Sequence, residues 1–206
     1  MLAANEISIH FGKECVIEHF SCHIHPGDFA CITGPSGCGK TSLLRAFIGL
    51  TPITCGEIVV DKQVMNEKTC DATRRKTSYL PQELSFPNDT VNDFIAQTFR
   101  IGSNKNVQLF MDKLYDNLKK LGLDTDLLRK RLSEISGGQR QRIMLATLAT
   151  QGKEIWLLDE PTAALDETSR NLVIDFLREQ QQQGTTIVAV SHDQQFAAHC
   201  STLIQL

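Results

Sequence analysis

The rhythm of hydrophobic and polar residues changes from segment to segment along this chain. In residues 5–11, Ile7, Ile9 and Phe11 alternate with Ser8 and His10, the period-two pattern of a strand with one buried face. Residues 16–25 read as its partner strand, ending at the turn pair Pro26-Gly27, and residues 56–64 read as a further hairpin. These segments predict a small antiparallel sheet in the N-terminal part. Residues 28–33 form a short apolar run without alternation, as in a strand buried on both faces. Residues 77–80, 155–158 and 185–190 share that character and predict the parallel strands of a core sheet. Elsewhere the period is helical. Leu43, Leu44, Phe47 and Ile48 precede Gly49, a natural stop. Residues 87–131 turn helical in character, with Val107, Phe110, Leu114, Leu118 and Leu121 on one face and Lys113, Asp116, Lys119 and Lys120 elsewhere. Leu172, Val173, Phe176 and Leu177 mark another helix, whose end is signalled by the glutamines at 180–183 and by Gly184. The prediction is an α/β fold with a mainly parallel sheet, an antiparallel β-subdomain and a helical insert.

Composition narrows this picture. A chain of 206 residues with 41% hydrophobic content fits one α/β domain with a sizeable core. The net charge of −3, with no polybasic run, gives nucleic acid no electrostatic footing as a partner. No apolar stretch approaches the ~18–20 residues that span a bilayer, and the N-terminus lacks the pattern of a signal peptide. The expectation is therefore a soluble, intracellular protein without direct membrane insertion. The seven cysteines form no Cys-x-x-Cys pair and are odd in number, which favours reduced thiols over disulfides or zinc. His23 and His25 lack a second cluster at metal spacing.

The chemistry concentrates in four places. Gly34-Pro35-Ser36-Gly37-Cys38-Gly39-Lys40-Thr41 fits G-x-x-x-x-G-K-[ST], a loop whose backbone N–H groups wrap nucleotide phosphates. It lies between a predicted strand and a predicted helix, so the helix N-terminus faces the anion. Lys40 brings charge to the β- and γ-phosphates, and the Thr41 hydroxyl, with Ser42 beside it, suits Mg²⁺. Second, Ile135-Ser136-Gly137-Gly138-Gln139-Arg140-Gln141-Arg142 precedes an apolar helical run. A serine-capped helix start explains Ser136 but neither the paired glycines nor Gln139. Third, four apolar residues at 155–158 lead into Asp159 and Glu160, placing two carboxylates at the C-terminal end of a core strand, where α/β sheets bind ligands. Fourth, His192 follows the strand at 185–190; alone it would be an ordinary structural histidine.

Taken together these motifs resemble the ATP-binding cassette family, the ATPase subunits of ABC transporters, from about Ile7 to His192 and in family order. The resemblance implies that residues 34–41 are the Walker A loop, Gln82 the Q-loop glutamine and residues 135–139 the signature sequence. It implies likewise that residues 155–160 are Walker B, that Asp166 belongs to the D-loop, and that His192 is the switch histidine. Phe11 stands where the family usually has an adenine-stacking tyrosine, and its ring keeps a stacking face. Two departures are Ile135 for the usual leucine and Thr147 for a common arginine, which puts a helix contact or charge pair in doubt. The implied domain division is a core of residues 1–83 and 150–206 and a helical subdomain of residues 84–149. The implied cofactors are ATP and Mg²⁺, with Thr41, Gln82 and, through water, Asp159 on the metal. Glu160 is the candidate general base, and His192 contacts the γ-phosphate. Ser136, Gly137, Gly138 and Gln139 cap the ATP of a second subunit, so the implied unit is a dimer, in the simplest case of two copies of this chain. Separate transmembrane permease subunits would carry the transport, with this chain peripheral on the cytoplasmic face of the membrane. A non-transport cassette ATPase of nucleic-acid maintenance or translation is the alternative, and a nucleotide sensor without turnover a third reading; the uninterrupted cassette, Glu160 and His192 weigh against them.

Overall fold

A computed structural model describes residues 1–82, 90–101 and 107–206, with the side chains of residues 98–101 left aside. Pro87, where the helical character was placed to begin, and the 83/84 domain boundary lie outside the described residues. The chain opens with β1 (Leu2–Phe11) and β2 (Glu14–Ile24), an antiparallel hairpin. β3 (Phe29–Thr33) leads through a loop into α1 (Lys40–Ala46). β4 (Cys55–Val60) and β5 (Gln63–Val64) form a hairpin with Val59 opposite Val64. Its two-residue turn, Asp61-Lys62, has positive φ at both positions, as a turn matched to strand twist demands. β4 pairs with β1, so this sheet has the order β2-β1-β4-β5.

The predicted alternation in β1 is inverted at two positions. Ser8 is buried between Ile7 and Ile9, and Phe11 is 51% exposed. Bulges explain this. Glu6 and His19 have positive φ, the register slips by one residue beside each, and a third slip falls between Ile9 and His10. Each slip re-aims the side chains that follow. Ser8 is then enclosed, with its hydroxyl accepting from His19 N at 3.1 Å and Thr54 lying over its carbonyl.

α2 (Cys70–Lys76) and β6 (Thr77–Leu80) follow. The helical part holds α3 (Val91–Ile101), α4 (Val107–Lys120) and two 3₁₀ turns, Thr125–Arg129 and Leu132–Glu134. Of the stripe predicted along α4, Phe110, Leu114, Leu118 and Leu121 are buried, whereas Val107, at the first turn, faces out. α5 (Gly137–Thr150) packs on α4 and returns the chain to the sheet. Thr147 is buried, and its hydroxyl donates to the Ile143 carbonyl one turn back at 2.8 Å. The position where the family commonly has arginine is thus filled by a residue satisfied within its own helix.

β7 (Ile155–Asp159), α6 (Glu167–Gln182), β8 (Thr186–Val190), α7 (Gln194–Ala197) and β9 (Thr202–Gln205) complete the chain. The second sheet runs β6-β7-β8-β3-β9, and every pairing in it is parallel. The predicted strands at 77–80, 155–158 and 185–190 are its β6, β7 and β8. β9 was not foreseen. Its two outward residues, Leu203 and Gln205, leave only Thr202 and Ile204 as an inward signal.

Side chains of this sheet part alternately to two faces. Ile32, Leu157, Val188 and Val190 join Leu43 and Leu44 of α1, Phe47 just after it, and Ile7 and Ile9 of β1 in one core. Cys31, Trp156, Leu158, Ile187 and Ala189 join α5 and α6 in the other. The loops after β3, β7 and β8 therefore emerge at one edge, between two packed layers. The seven cysteines carry free thiols. Among the described residues no helix is long and apolar enough to cross a membrane.

Candidate nucleotide site

Burial fixes β3, and the loop after it is fixed by glycine. Gly37 and Gly39 both have positive φ, and a Cβ on Gly39 would lie 2.6 Å from Val16 Cγ1. That contact seats the loop directly on the β1–β2 hairpin, close enough that no other residue fits. Lys40 folds back over the loop. Its ammonium donates to the carbonyls of Gly34 at 2.9 Å and Pro35 at 2.7 Å and lies 3.8 Å from Cys38 Sγ. A Cβ on Gly34 would meet Leu206 O at 2.7 Å, and Leu206 N donates to Thr33 O at 2.9 Å. The far end of the chain therefore walls the same loop.

β7 delivers Asp159 beside Thr41. Asp159 is 1% exposed, and neither of its carboxylate oxygens has a hydrogen-bond donor of good geometry. Burial pushes its pKa up, and the Glu160 carboxylate adds to that, while the Thr41 hydroxyl, Arg45 and Lys40 pull the other way. A buried carboxylate with bare oxygens is costly unless a proton or a cation satisfies it.

Glu160 follows in left-handed backbone, φ 51°, a conformation that costs a residue with a side chain about 1–3 kcal/mol. Its peptide is held at both ends. Glu160 N donates to Val190 O of β8 at 3.0 Å, and Glu160 O accepts from Gln141 Nε2 of α5 at 3.1 Å and from Ala163 N at 3.3 Å. The turn carries the Glu160 side chain to His192, with Nδ1 and Oε1 2.8 Å apart. The carboxylate is almost wholly buried, whereas the His192 ring is 71% exposed.

A cleft of about 500 Å³ takes in Phe11, Ser36, Gly37, Gly39, Lys40, Thr41, Ser42, Gln82, Asp159, Glu160 and His192. Phe11 reaches it because the bulged hairpin turns the ring out of the core. The structure thus brings together residues from the predicted loop, Gln82, the carboxylate pair and the histidine. Ser136, Gly137, Gly138, Gln139 and Asp166 do not line this cleft. Ser136 caps α5, accepting from Gln139 N at 3.1 Å, and the Gln139 side chain accepts from Ser136 N at 3.0 Å. This reciprocal box gives Gln139 a local job that a lone serine cap could not explain. Gly138 has one as well, since a Cβ there would meet Ala164 O and Leu165 Cδ2 at 3.1 Å. Asp166 caps α6 through Ser169 N at 2.8 Å, and the Ser169 hydroxyl together with that N–H holds its carboxyl below the usual range. Gln141, part of the motif at 135–142 but without a role read from sequence, is the residue missed; the sequence offers only its place two positions after Gln139, and its burial is seen in the fold alone.

The family model for ABC transporters matches residues 17–163. The chain belongs to the ABC transporter family. It is 34% identical over its whole length to a macrolide export ATP-binding/permease protein, MacB, of Mannheimia succiniciproducens, of which it spans 33%. It is 35% identical to a phosphonates import ATP-binding protein, PhnC, of Trichormus variabilis, covering 89% of this chain and 78% of that one. The chain therefore spans about a third of one kind of relative and most of the other. The fold superposes on the dimeric bacterial ABC transporter cassette MJ0796 with a TM-score of 0.90 at 24% identity, covering all of this chain and 94% of that one. A post-hydrolysis state of that cassette bound to ADP and Pi gives 0.89 at 25% identity, with the same coverage. As an ABC member the chain is an ATP-binding, ATP-hydrolysing cassette.

Proposed function

We propose that this cassette couples ATP binding and hydrolysis to transport through separate membrane subunits, working as a dimer on the cytoplasmic face of the membrane. The observation that carries the reading is the meeting of Lys40, Thr41, Asp159, Glu160 and His192 in one cleft while the residues at 136–139 stand outside it. A site so divided calls for a second copy to close it. In this reading the backbone at 34–41, Lys40 and Ser42 hold the phosphates, and Phe11 stacks on the base, a contact worth ~1–3 kcal/mol for aromatic–base pairs. Thr41, Gln82 and Asp159 would hold Mg²⁺; hydroxyl, amide and carboxylate oxygens suit that ion, and the bare, buried oxygens of Asp159 are groups it would satisfy. When bound, the ion supplies positive charge to the phosphoryl oxygens.

Glu160 takes the proton of the attacking water, and its buried carboxylate is aimed by His192 Nδ1. His192 Nε2 is then left to face the γ-phosphate, to which it donates when both ring nitrogens carry a proton. Ser136, Gly137, Gly138 and Gln139 cap the partner copy's ATP, and Asp166 lies near that contact. Loss of the γ-phosphate removes the ligand's preference for the closed dimer, which opens. Relatives of similar identity are named for macrolide export and for phosphonates import, which supports cargo choice residing in the membrane subunits. These transport names also favour this reading over a cassette acting in nucleic-acid maintenance or translation.

Glu160→Gln tests the base. ATP should still bind, turnover should fall by ~10²–10⁴, and an ATP-bound dimer should accumulate on a sizing column. Turnover near that of the parent would remove Glu160 from the role.

A further inference from the structure

The geometry points to Gln141 as the residue that positions the base of ATP hydrolysis: its carboxamide, reaching from the first turns of α5, holds the Glu160 peptide in the left-handed conformation that aims the carboxylate. This rests on the reading of Glu160 as the general base. Gln141 is 6% exposed and its Nε2 lies 3.1 Å from Glu160 O. Only the NH₂ end of a carboxamide can serve a carbonyl, so the orientation of the side chain is settled by its partner. The acceptor belongs to the residue with φ 51°, the one left-handed non-glycine among the site residues. On the other side of the same residue, Val190 O takes the Glu160 N–H at 3.0 Å. A strained peptide persists only where its surroundings over-determine it, and here, beside the local and longer bond from Ala163 N at 3.3 Å, two clamps come from distant elements, the β8 strand and the α5 helix.

The α5 clamp has a further consequence. The same helix begins at Ser136, and its first turn rests on the segment that follows Glu160: Gly138 lies so close to Ala164 O and Leu165 that a Cβ would approach to 3.1 Å, and a Cβ on Gly137 would be 3.8 Å from Ala164 Cβ. Gln141 is one turn further along. Any shift of α5 that follows from what Ser136 meets is delivered by Gln141 to the carbonyl of Glu160. The base of each copy is thereby set by the helix whose tip faces the other copy's nucleotide.

The test is a double-mutant cycle of Gln141→Met and Glu160→Gln, read as single-turnover hydrolysis of radiolabelled ATP beside ATP affinity and melting temperature. Methionine keeps the volume and the helix but has no donor. Expected for Gln141→Met is a loss in kcat on the order of tenfold to a hundredfold, the scale of a misplaced catalytic group, with KM for ATP and ATP affinity within about twofold of the parent. In the Glu160→Gln background the same substitution should cost nothing further, because the group it aims is already gone. Should Gln141→Met fail to fold, Gln141→Asn, which retracts the amide by one methylene, must give the same pattern. A Gln141→Met enzyme with parental kcat overturns the inference. So does a loss that appears in KM, or one that carries undiminished into the Glu160→Gln background. If Glu160→Gln itself keeps turnover, the base assignment falls instead, so the two failures are told apart.

Discussion

Cys38 shows how much a single side chain in the loop can report. Its sulfur lies 3.8 Å from Lys40 Nζ and sits where a Cβ on Gly34 would come within 2.8 Å, so a group added to the sulfur would stand beside Lys40 and the backbone of the loop. Alkylation with N-ethylmaleimide should abolish ATP binding, ATP should protect, and Cys38→Ser should be insensitive. Because Cys15 and Cys55 are exposed whereas Cys38 is half-buried, the serine variant identifies the site. Retained ATP affinity in fully modified protein would refute the expectation. At this scale the sequence was most legible where a residue's chemistry is unusual. The loop glycines, Lys40, and the paired carboxylates at the end of β7 stand out by their chemistry. Gln141 did not, because a buried glutamine has no periodic signature and its value depends on a carbonyl 19 residues away.

Among the elements, α5 separates two jobs that the sequence fused. Ser136 closes the reciprocal cap with Gln139, and it is also the residue proposed to face the partner's ATP. Ser136→Ala should cost ~1 kcal/mol of stability, whereas Ser136→Gly should cost only a few tenths, giving about a 2–4 °C drop in melting temperature for the first alone. Both lose the hydroxyl, so both should lose ATPase activity to a similar extent. Equal activity in Ser136→Gly and the parent would leave the serine a cap and nothing more. Strands β3, β7 and β8 were legible because burial on both faces leaves a nearly unbroken apolar run, whereas β6 buries Thr77 and Ser78 beside Leu80 and carries a weaker signal. β9 was hidden by its brevity and by turning Leu203 outward, and α2 by its brevity and its outward charged residues. In β1 the strand was read but its strict alternation was not kept, with Ile7, Ser8 and Ile9 all buried and Phe11 turned out, since positive φ at Glu6 and His19 lies outside anything a hydrophobic pattern encodes.

For the whole molecule, the decisive expectation concerns two copies. A Lys40→Ala subunit and a Ser136→Glu subunit should each be nearly inactive alone. Mixed, roughly half of the dimers pair one of each, and every such dimer holds one site with both parts intact. ATPase activity should therefore reappear on mixing, to about a quarter of the parental rate if the sites work independently. No recovery, with mixed dimers demonstrated by mass spectrometry, would place all the parts of the site within one subunit. The two packed layers on either side of the parallel sheet make this division possible: one core carries the loop and the hairpin, and the other carries α5 and α6.

The contact between Leu206 and the phosphate loop has a practical use. Residues 33 and 206 are joined by a backbone hydrogen bond, and Gly34 touches the same terminal residue, while Met1 is ion-paired to Asp61 on the edge of the antiparallel sheet. A fluorophore tethered at residue 206 would sit within reach of the nucleotide and change its emission as the loop fills and empties. The same dye at Met1 would be its silent twin.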